Sequence, residues 1–500
     1  MNRSLFLALF TIMSFCLFRE SRSFCSPLSK SLIRQNVYVL KAKGSSGLGK
    51  KRAPRQRVDD IDGQRRSDAD PWKVLITKLD KTKDSSAKFG KIQKPVIVSN
   101  QIDELQCPHF NECSGCTITG NFTESPIIQQ AKSFFTSQGI PLSLSLHKTH
   151  HWRTHVKLAV QPLSRWGGLV FGLYERGSHQ VVPIPNCQVH HPKINTAVEV
   201  LRRVASECGV RGYESERNGL PSQGDLRYIQ MSVEREKERV QLVLVWNADS
   251  YKSCSLALSR LVKRLKSMSQ LWHSITINFH TENTNVIFNY HPRSWKILWG
   301  PPALKEKIGR ATFFFRPQVF RQANLDAFEK LVLPAVERAV LEKERVSELY
   351  AGLGVIGLNV VHKSTEVLCS DRDSTRGGDE MFDKGADTLP ESDRERVYYE
   401  PLSAAEAVEQ GQLEGAGVLI VDPPRKGLDK EVMNVLMDKH KSVSAPDLKR
   451  LVYVSCGFEA LEREIIELIR SGKWRLVSAE GFLLFPGSDH IETVAVLDRV

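Results

Sequence analysis

Four stretches of this 500-residue chain carry side chains able to do chemistry. In RLVYVSCGFEALERE, Cys456 ends an apolar run that reads as a strand, just before Gly457 and a predicted helix. A helix N-terminus lowers a thiol pKa from about 8.5, which makes Cys456 a candidate nucleophile. A lone cysteine in an apolar strand is otherwise a core residue. In LLFPGSDHIETVAVLDRV, Glu492 follows His490 and lies between apolar residues. Partial burial there raises a carboxyl pKa and makes a base, although strand alternation also allows a solvent-facing residue. In LIVDPPRKGLD, Asp422-Pro423-Pro424 closes a strand. Paired prolines stiffen the exit loop so that it can hold a flat substrate, or they simply make a stiff turn into the next helix. Finally, CPHFNECSGC sets Cys107, Cys113 and Cys116 within ten residues. By itself this suits a metal site, a redox pair, a disulfide knot or coincidence.

A fifth feature would serve a cofactor. VSELYAGLGVIGLNV spaces Gly352, Gly354 and Gly357 as G-x-G-x-x-G between a predicted strand and a helix, where glycine permits a tight turn and close backbone approach. The next strand ends in Asp371, placed to accept hydrogen bonds from a ribose. The spacing fits a dinucleotide or S-adenosylmethionine equally. Taken together, the residues fit one reaction. Uracil C5 is too poor a nucleophile to take a methyl group from a sulfonium. Addition of a thiolate to C6 collects electrons at C5, and a base must then remove the C5 proton. Cys456 and Glu492 would fill those two roles. An RNA base must also be turned out of its stack, at a cost of a few kcal/mol.

These residues need a scaffold, and the sequence outlines one. Residues 152–190 read as short strands with polar and Gly breaks, and LRYIQMSVERE with RVQLVLVWNA reads as a hairpin across EREKE. SITINFHT and NVIFNY read as another pair, and KINTAVEVLRRVASE as a helix. Past residue 310 the pattern changes. Short apolar runs ending in Gly, Asp, Pro or Cys alternate with helical stretches such as ANLDAFEKLVLPAVERAVLE, KEVMNVLMDKH and EALEREIIELIRSG. That alternation predicts an open α/β sheet with ligands at the carboxyl ends of its strands. The expected organisation is a signal peptide over 1–23, a basic segment and linker over 24–95, a central β-rich domain with the cysteine cluster over 96–310, and a Rossmann-like domain over 311–500.

The motifs resemble, in order, those of the RNA 5-methyluridine methyltransferases, S-adenosylmethionine-dependent enzymes acting on tRNA or ribosomal RNA. The matching pieces are FRPQVFRQAN, ELYAGLGVIGL, EVLCSD, VDPPRKG, VYVSCGFEALERE and SDHIETV, and the resemblance spans residues 101–500. It implies an α/β fold with a C-terminal Rossmann-like methyltransferase domain. It implies Cys456 as nucleophile and Glu492 as proton acceptor, with Gln322, Tyr350, Asp371 and Asp422 contacting the cofactor. It also implies a monomer working on RNA. Some members carry C-x5-C-x2-C and a later cysteine that together bind a [4Fe–4S] cluster; the counterparts here are Cys107, Cys113, Cys116 and Cys187. Four thiolates suit zinc as well as iron–sulfur, and His109, His190 and His191 lie near in sequence. The chain departs from the family pattern at Val355, at Pro401, and in STRGGDEMFDKGADTLPESDRER after Asp371, which reads as longer and poorly helical. Three other readings meet obstacles. A 5-methylcytosine enzyme carries a second cysteine beside the prolines, where this chain has Asp422. A nicotinamide-dependent reductase gives DPPRKG, Cys456 and Glu492 no role. A non-catalytic RNA-binding protein does not need both Cys456 and Glu492.

Composition is ordinary for a globular protein, with 41% apolar and 25% charged residues. The ten cysteines are mostly isolated, unlike a secreted disulfide scaffold. The net charge of +13 says little about the folded part, because most of the excess lies in the first 58 residues. MNR followed by SLFLALFTIMSFCLF has the pattern of a signal peptide; a membrane anchor would need about 20 apolar residues. From Phe24 to Val58 there are nine Lys or Arg, no acid and many serines, the composition of a transit peptide. A signal followed by such a stretch resembles the bipartite presequence of algae with secondary plastids. A plastid is therefore the expected destination, a mitochondrion the alternative, with no stable membrane association after processing.

Overall fold

A computed structural model describes residues 104–500, apart from 164–167, 216–221, 285, 373–376 and 441. The expected signal, transit-like and linker segments lie outside the described residues. No helix among the described residues is long and apolar enough to cross a membrane.

The first strand, β1 (Ser143–Ser145), runs parallel to a strand near the C-terminus, so this early segment joins the last sheet of the chain. The next seven strands form a sheet of their own. They are β2 (His155–Pro162), β3 (Leu169–Tyr174), β4 (Val181–Pro183), β5 (Leu226–Val233), β6 (Val240–Trp246), β7 (Trp272–Phe279) and β8 (Trp295–Trp299), ordered β4-β3-β2-β5-β6-β7-β8. The hairpin expected from LRYIQMSVERE and RVQLVLVWNA is β5 against β6, antiparallel. The second expected pair is different. Residues 286–290 of NVIFNY form no strand, and β7 instead pairs antiparallel with β8. Phe288 is buried against Trp295, with ring centroids 5.1 Å apart, so this apolar run caps the sheet rather than extending it. The helix Pro192–Glu207 covers one face, burying Ile194, Ala197, Val198, Leu201 and Ala205 at helical spacing.

β9 (Leu304–Ile308) and β10 (Ala311–Phe315) form a two-stranded ribbon across the expected boundary at residue 310. The C-terminal sheet then adds β11 (Arg345–Leu349), β12 (Glu366–Ser370), β13 (Val397–Glu400), β14 (Val418–Val421), β15 (Arg450–Ser455), β16 (Trp474–Phe482) and β17 (Glu492–Arg499). Its order is β1-β16-β17-β15-β14-β11-β12-β13, with only β17 antiparallel to its neighbours. β15 shows why these runs are apolar throughout. Val452 and Val454 enter the core on one face, Leu451 and Tyr453 the core on the other. The segment after Asp371 contains a helix, Gly378–Ala386, contrary to its poorly helical reading; Met381, Phe382 and Ala386 are buried on it.

Strand order reverses between β11 and β14. A cleft opens at such a point, outside the carboxyl ends of the strands. Tyr350, Asp371, Asp422 and Cys456 each follow one of these strands, and Glu492 begins β17, whose reversed direction brings its start to the same edge.

A buried ion pair joins the first large sheet to the β9–β10 ribbon. Arg321 and Glu306 are each only 2% exposed and meet at 2.7 Å. Arg321 also donates to Thr154 Oγ1 at the head of β2 (3.2 Å) and to the Val233 carbonyl at the end of β5 (3.0 Å). Glu306, on β9, takes a second guanidinium from Arg235 at 3.0 Å. Removing one partner of a buried pair leaves an uncompensated charge and costs about 3–5 kcal/mol, whereas replacing both with apolar residues is often neutral. Arg321→Met is therefore expected to lower stability to denaturant by that amount, and Arg321→Met/Glu306→Leu to recover most of it. A loss under about 1 kcal/mol for the single variant would show that the pair does not hold the ribbon to the first sheet.

Candidate active site and cysteine-lined cavity

The turn after β11 is bent at three alternate left-handed positions, Tyr350 (φ 61°), Gly352 (φ 58°) and Gly354 (φ 67°). A side chain at Gly354 would strike the Phe382 ring, 2.5 Å from an added Cβ, so the turn packs tightly on its own support. Asp371 Oδ2 accepts the Gly352 N–H at 3.0 Å, and the Tyr399 hydroxyl donates to the Gly352 carbonyl at 3.1 Å. On the strand itself, Glu348 Oε2 accepts the Gly357 N–H at 2.9 Å and the Cys369 thiol at 3.1 Å. Burial pushes the Glu348 pKa up to about 8, so this carboxyl is protonated near neutrality.

A second loop closes over the turn. Tyr350 donates its hydroxyl proton to Asp429 Oδ2 (3.2 Å) and accepts the Asp429 N–H (2.9 Å). The same loop carries Asp422, Pro423, Pro424 and Arg425. An added Cβ at Gly457 would lie 2.6 Å from the Arg425 carbonyl, so the loop rests directly on the turn that bears Cys456. On the opposite wall, Asn324 donates to the Leu484 carbonyl at 2.8 Å, which ties the Gln322 loop to the segment before β17.

One cavity of about 670 Å³ is lined by Gln322, Tyr350, Asp371, Asp422, Cys456 and Glu492, the six residues singled out for this site. Glu348 and Asp429 line it too, as do the cations Arg321, Arg372, Arg425 and Lys426. Glu492 is buried, and its pKa is raised by burial and then by Asp422. Burial pushes Asp422 up to about 7. Cys456 corrects the expectation of an acidic thiol. Its pKa is raised to about 11, first by burial and then by the Glu492 and Asp422 carboxylates. The helix Phe458–Arg470 starts two residues later, and the intervening Gly457 N–H is taken by Ser455 Oγ at 3.1 Å. The opposing influence is Arg425, whose guanidinium hydrogen-bonds the thiol and favours its anion. Arg425 and Glu348 were not singled out from sequence, although both sit inside quoted motifs, DPPRKG and VSELYAG.

Cys107, Cys113, Cys116 and Cys187 line a separate cavity of about 210 Å³. All four are free thiols. Backbone N–H groups point at the sulfurs: Gly115 donates to Cys113 Sγ at 3.3 Å, His109 and Gln188 to Cys107, Val189 and His190 to Cys187. Burial raises these thiols, Cys116 to about 11 and Cys187 to about 12. Arg153, which also lines the cavity, opposes that rise at Cys116. An added Cβ at Gly487 would come within 3.1 Å of Cys116 Sγ, so only bare backbone fits there. As the side chains stand, no group of three or more His, Cys, Asp or Glu among the described residues is placed to hold a metal ion. Of the three neighbouring histidines, His109 bonds the Pro185 carbonyl at 2.6 Å, and His191 accepts the Lys193 N–H at the start of its helix. His190 lines the cavity and burial lowers its pKa to about 3.

No protein-family model matches the chain. An uncharacterized RNA methyltransferase of Protochlamydia amoebophila is 35% identical over 402 residues, covering 79% of this chain and 98% of the relative. One from Halalkalibacterium halodurans is 26% identical over 449 residues, covering 86% and 90%. Among solved structures, the Pyrococcus abyssi tRNA (uracil-54, C5)-methyltransferase in complex with S-adenosyl-L-homocysteine shares the fold, with a TM-score of 0.57 at 20% identity, covering 77% of this chain and 86% of that one.

The raised thiol pKa has a measurable consequence. In the free protein, iodoacetamide labelling of Cys456 is expected to accelerate about tenfold per pH unit from pH 7 towards 10, because the thiolate fraction grows until the pKa is reached. Peptide mapping against Cys456→Ala isolates this residue. Arg425→Gln is expected to slow labelling at each pH. A plateau below pH 8 would contradict the raised pKa.

Proposed function

We propose, from the premise that this chain belongs to the RNA methyltransferase family, that it transfers a methyl group from S-adenosylmethionine to C5 of a uridine in tRNA or ribosomal RNA. The observation that carries this reading is the convergence of Cys456, Glu492, Asp422, Asp371 and Gln322 on one cavity. That cavity is lined by one cysteine, Cys456, and a 5-methylcytosine enzyme would need a second. Asp371 accepts the Gly352 N–H and lines the cavity where a ribose would lie in this reading. Gln322 and Tyr350 line the remaining cofactor wall, with Asp422.

S-adenosylmethionine supplies the methyl group as an electrophile. The chain's own residues do the rest. Arg425 hydrogen-bonds the Cys456 sulfur and stabilises the anion left when the thiol gives up its proton, against the unfavourable field of two carboxyl groups. That anion adds to C6 of the uracil, and electrons collect at C5, which takes the methyl group. Glu492 then removes the C5 proton, and the returning electrons expel the Cys456 thiolate. Burial that raises the Glu492 pKa also makes it a stronger base for that proton. The paired prolines after Asp422 form a rigid wall against the flat base.

The four cysteines of the second cavity hold a [4Fe–4S] cluster in this reading, with zinc the alternative. The donor set fits: four thiols, N–H groups aimed at their sulfurs and a nearby guanidinium all favour a soft, anionic thiolate centre. The cluster would supply structural cross-linking between the early cysteine segment and the β3–β4 region, with no part in methyl transfer. The basic leader fits a plastid enzyme.

Two experiments test these assignments. RNA substituted with 5-fluorouridine cannot lose its C5 substituent as a proton, so wild type with cofactor is expected to form a denaturation-resistant adduct and Cys456→Ala none. Glu492→Gln is expected to accumulate the adduct on ordinary RNA, with turnover reduced about 10²–10⁴-fold. Absence of any wild-type adduct on both tRNA and ribosomal RNA would overturn the uracil reading. Anaerobic purification is expected to yield a brown protein carrying iron and sulfide, lost together in Cys187→Ser; a colourless protein with stoichiometric zinc would replace iron–sulfur by zinc.

A further inference from the structure

Arg425 owes its place to a turn. The Gly427 N–H closes onto the Pro424 carbonyl at 2.9 Å, and Arg425 and Lys426 form the tip between them. The far side of that turn rests on one buried carboxyl group. Glu464 is 4% exposed, and the Leu428 N–H donates to both of its oxygens at 3.2 Å. Gly427 stands at φ 93°, and an added Cβ there would collide with the Glu464 carboxyl group. Only bare backbone lets the acid come this close. The neighbouring Arg463 donates to the Lys426 carbonyl at 3.4 Å.

Each hydrogen-bond partner of Glu464 among the described residues is a donor. Besides Leu428, the Tyr453 hydroxyl donates to Oε2 at 2.6 Å and the Arg463 guanidinium to Oε1 at 3.2 Å. Tyr453 lies on β15, shortly before Cys456, and Glu464 lies on the helix Phe458–Arg470 that follows it. The strand and the helix that present Cys456 therefore also hold the turn that carries its cation.

We propose that Glu464 is a positioning residue for methyl transfer: from the helix behind Cys456 it grips the Pro424–Gly427 turn and so holds the Arg425 guanidinium against the Cys456 sulfur. The inference rests on the reading of Cys456 as nucleophile and adds the group that places its cation. A carboxylate suits this position because it only accepts hydrogen bonds. A glutamine of the same shape would turn its amide N–H groups towards the Leu428 N–H in either orientation, and towards Arg463 or Tyr453 as well.

The full chain, free of RNA, tests this through iodoacetamide labelling of Cys456 at fixed pH, read by peptide mapping. Glu464→Gln is expected to slow labelling about threefold or more, as coupled neighbours do. In the Arg425→Gln background the same change is expected to slow it no further, because the cation it positions is gone. Gly427→Ala keeps the carboxyl group but pushes the turn off it, and is expected to repeat both results. A wild-type circular dichroism spectrum at the assay temperature establishes that a variant folds, and Gly427→Ala carries the test should Glu464→Gln not fold. A change in access alone would leave the thiolate titration unmoved. Loss of the Arg425 contact is expected to move it to higher pH, followed by ultraviolet absorbance against the same variant carrying Cys456→Ala. Wild-type labelling in either folded variant, equal slowing with and without Arg425, or an unmoved titration would overturn the proposal. Failure of the uracil reading looks different: wild type would form no adduct with fluorouridine RNA while the labelling results stand.

Discussion

The geometry of the site depends on a buried ion pair that lies partly outside it. Arg321 gathers Thr154 and Val233 from one sheet and Glu306 from the small ribbon, all within a dry interior. Its neighbours in sequence, Gln322 and Asn324, then have no freedom of their own. Gln322 lines the catalytic cavity, and Asn324 reaches across to the Leu484 carbonyl. A pair buried this deeply contributes little net stability against an apolar substitute, because desolvation offsets attraction. What it provides is position: Thr154, Val233 and Glu306 together hold the Arg321 guanidinium in place.

Within the cavity, electrostatics run against ionisation of Cys456. Asp422 and Glu492 stand near Cys456, and burial strengthens their effect by lowering the local dielectric. Burial and these carboxyl groups therefore favour the neutral thiol. Arg425 is the cation that hydrogen-bonds it. Such a site is suited to a cationic cofactor and a reaction that begins only when the cavity is filled. A permanently ionised cysteine would be open to oxidation and to other electrophiles.

Local patterns carried much of the architecture. The hairpin β5–β6 was legible because alternation, β-branched residues and a charged turn coincide. The strands of the last sheet were legible as apolar runs with abrupt polar ends, since both faces are covered. NVIFNY misled because an apolar run of that length suits a cap as well as a strand, and only the packing of Phe288 on Trp295 distinguishes them. The helix at Gly378–Ala386 was obscured by its glycines and charges; burial of Met381 and Phe382 overrides that weak propensity. No local signal announced that β1 would pair with β16, more than three hundred residues away.

The chain by itself determined which groups are available: a cysteine and an acid at strand ends, a glycine turn followed by an aspartate, stiff prolines, and four cysteines in two places. Covalent identity and spacing are enough for that, because each motif is a short-range statement. Only the tertiary structure decided how those groups behave. The thiol that a helix N-terminus would have acidified is instead raised to about 11, since burial and two carboxyl groups outweigh the helix. Arg425 and Glu348 acquire their places from loops and strands that meet across the fold. A pKa and a charge field depend on distance and dielectric, and neither exists until distant segments have packed.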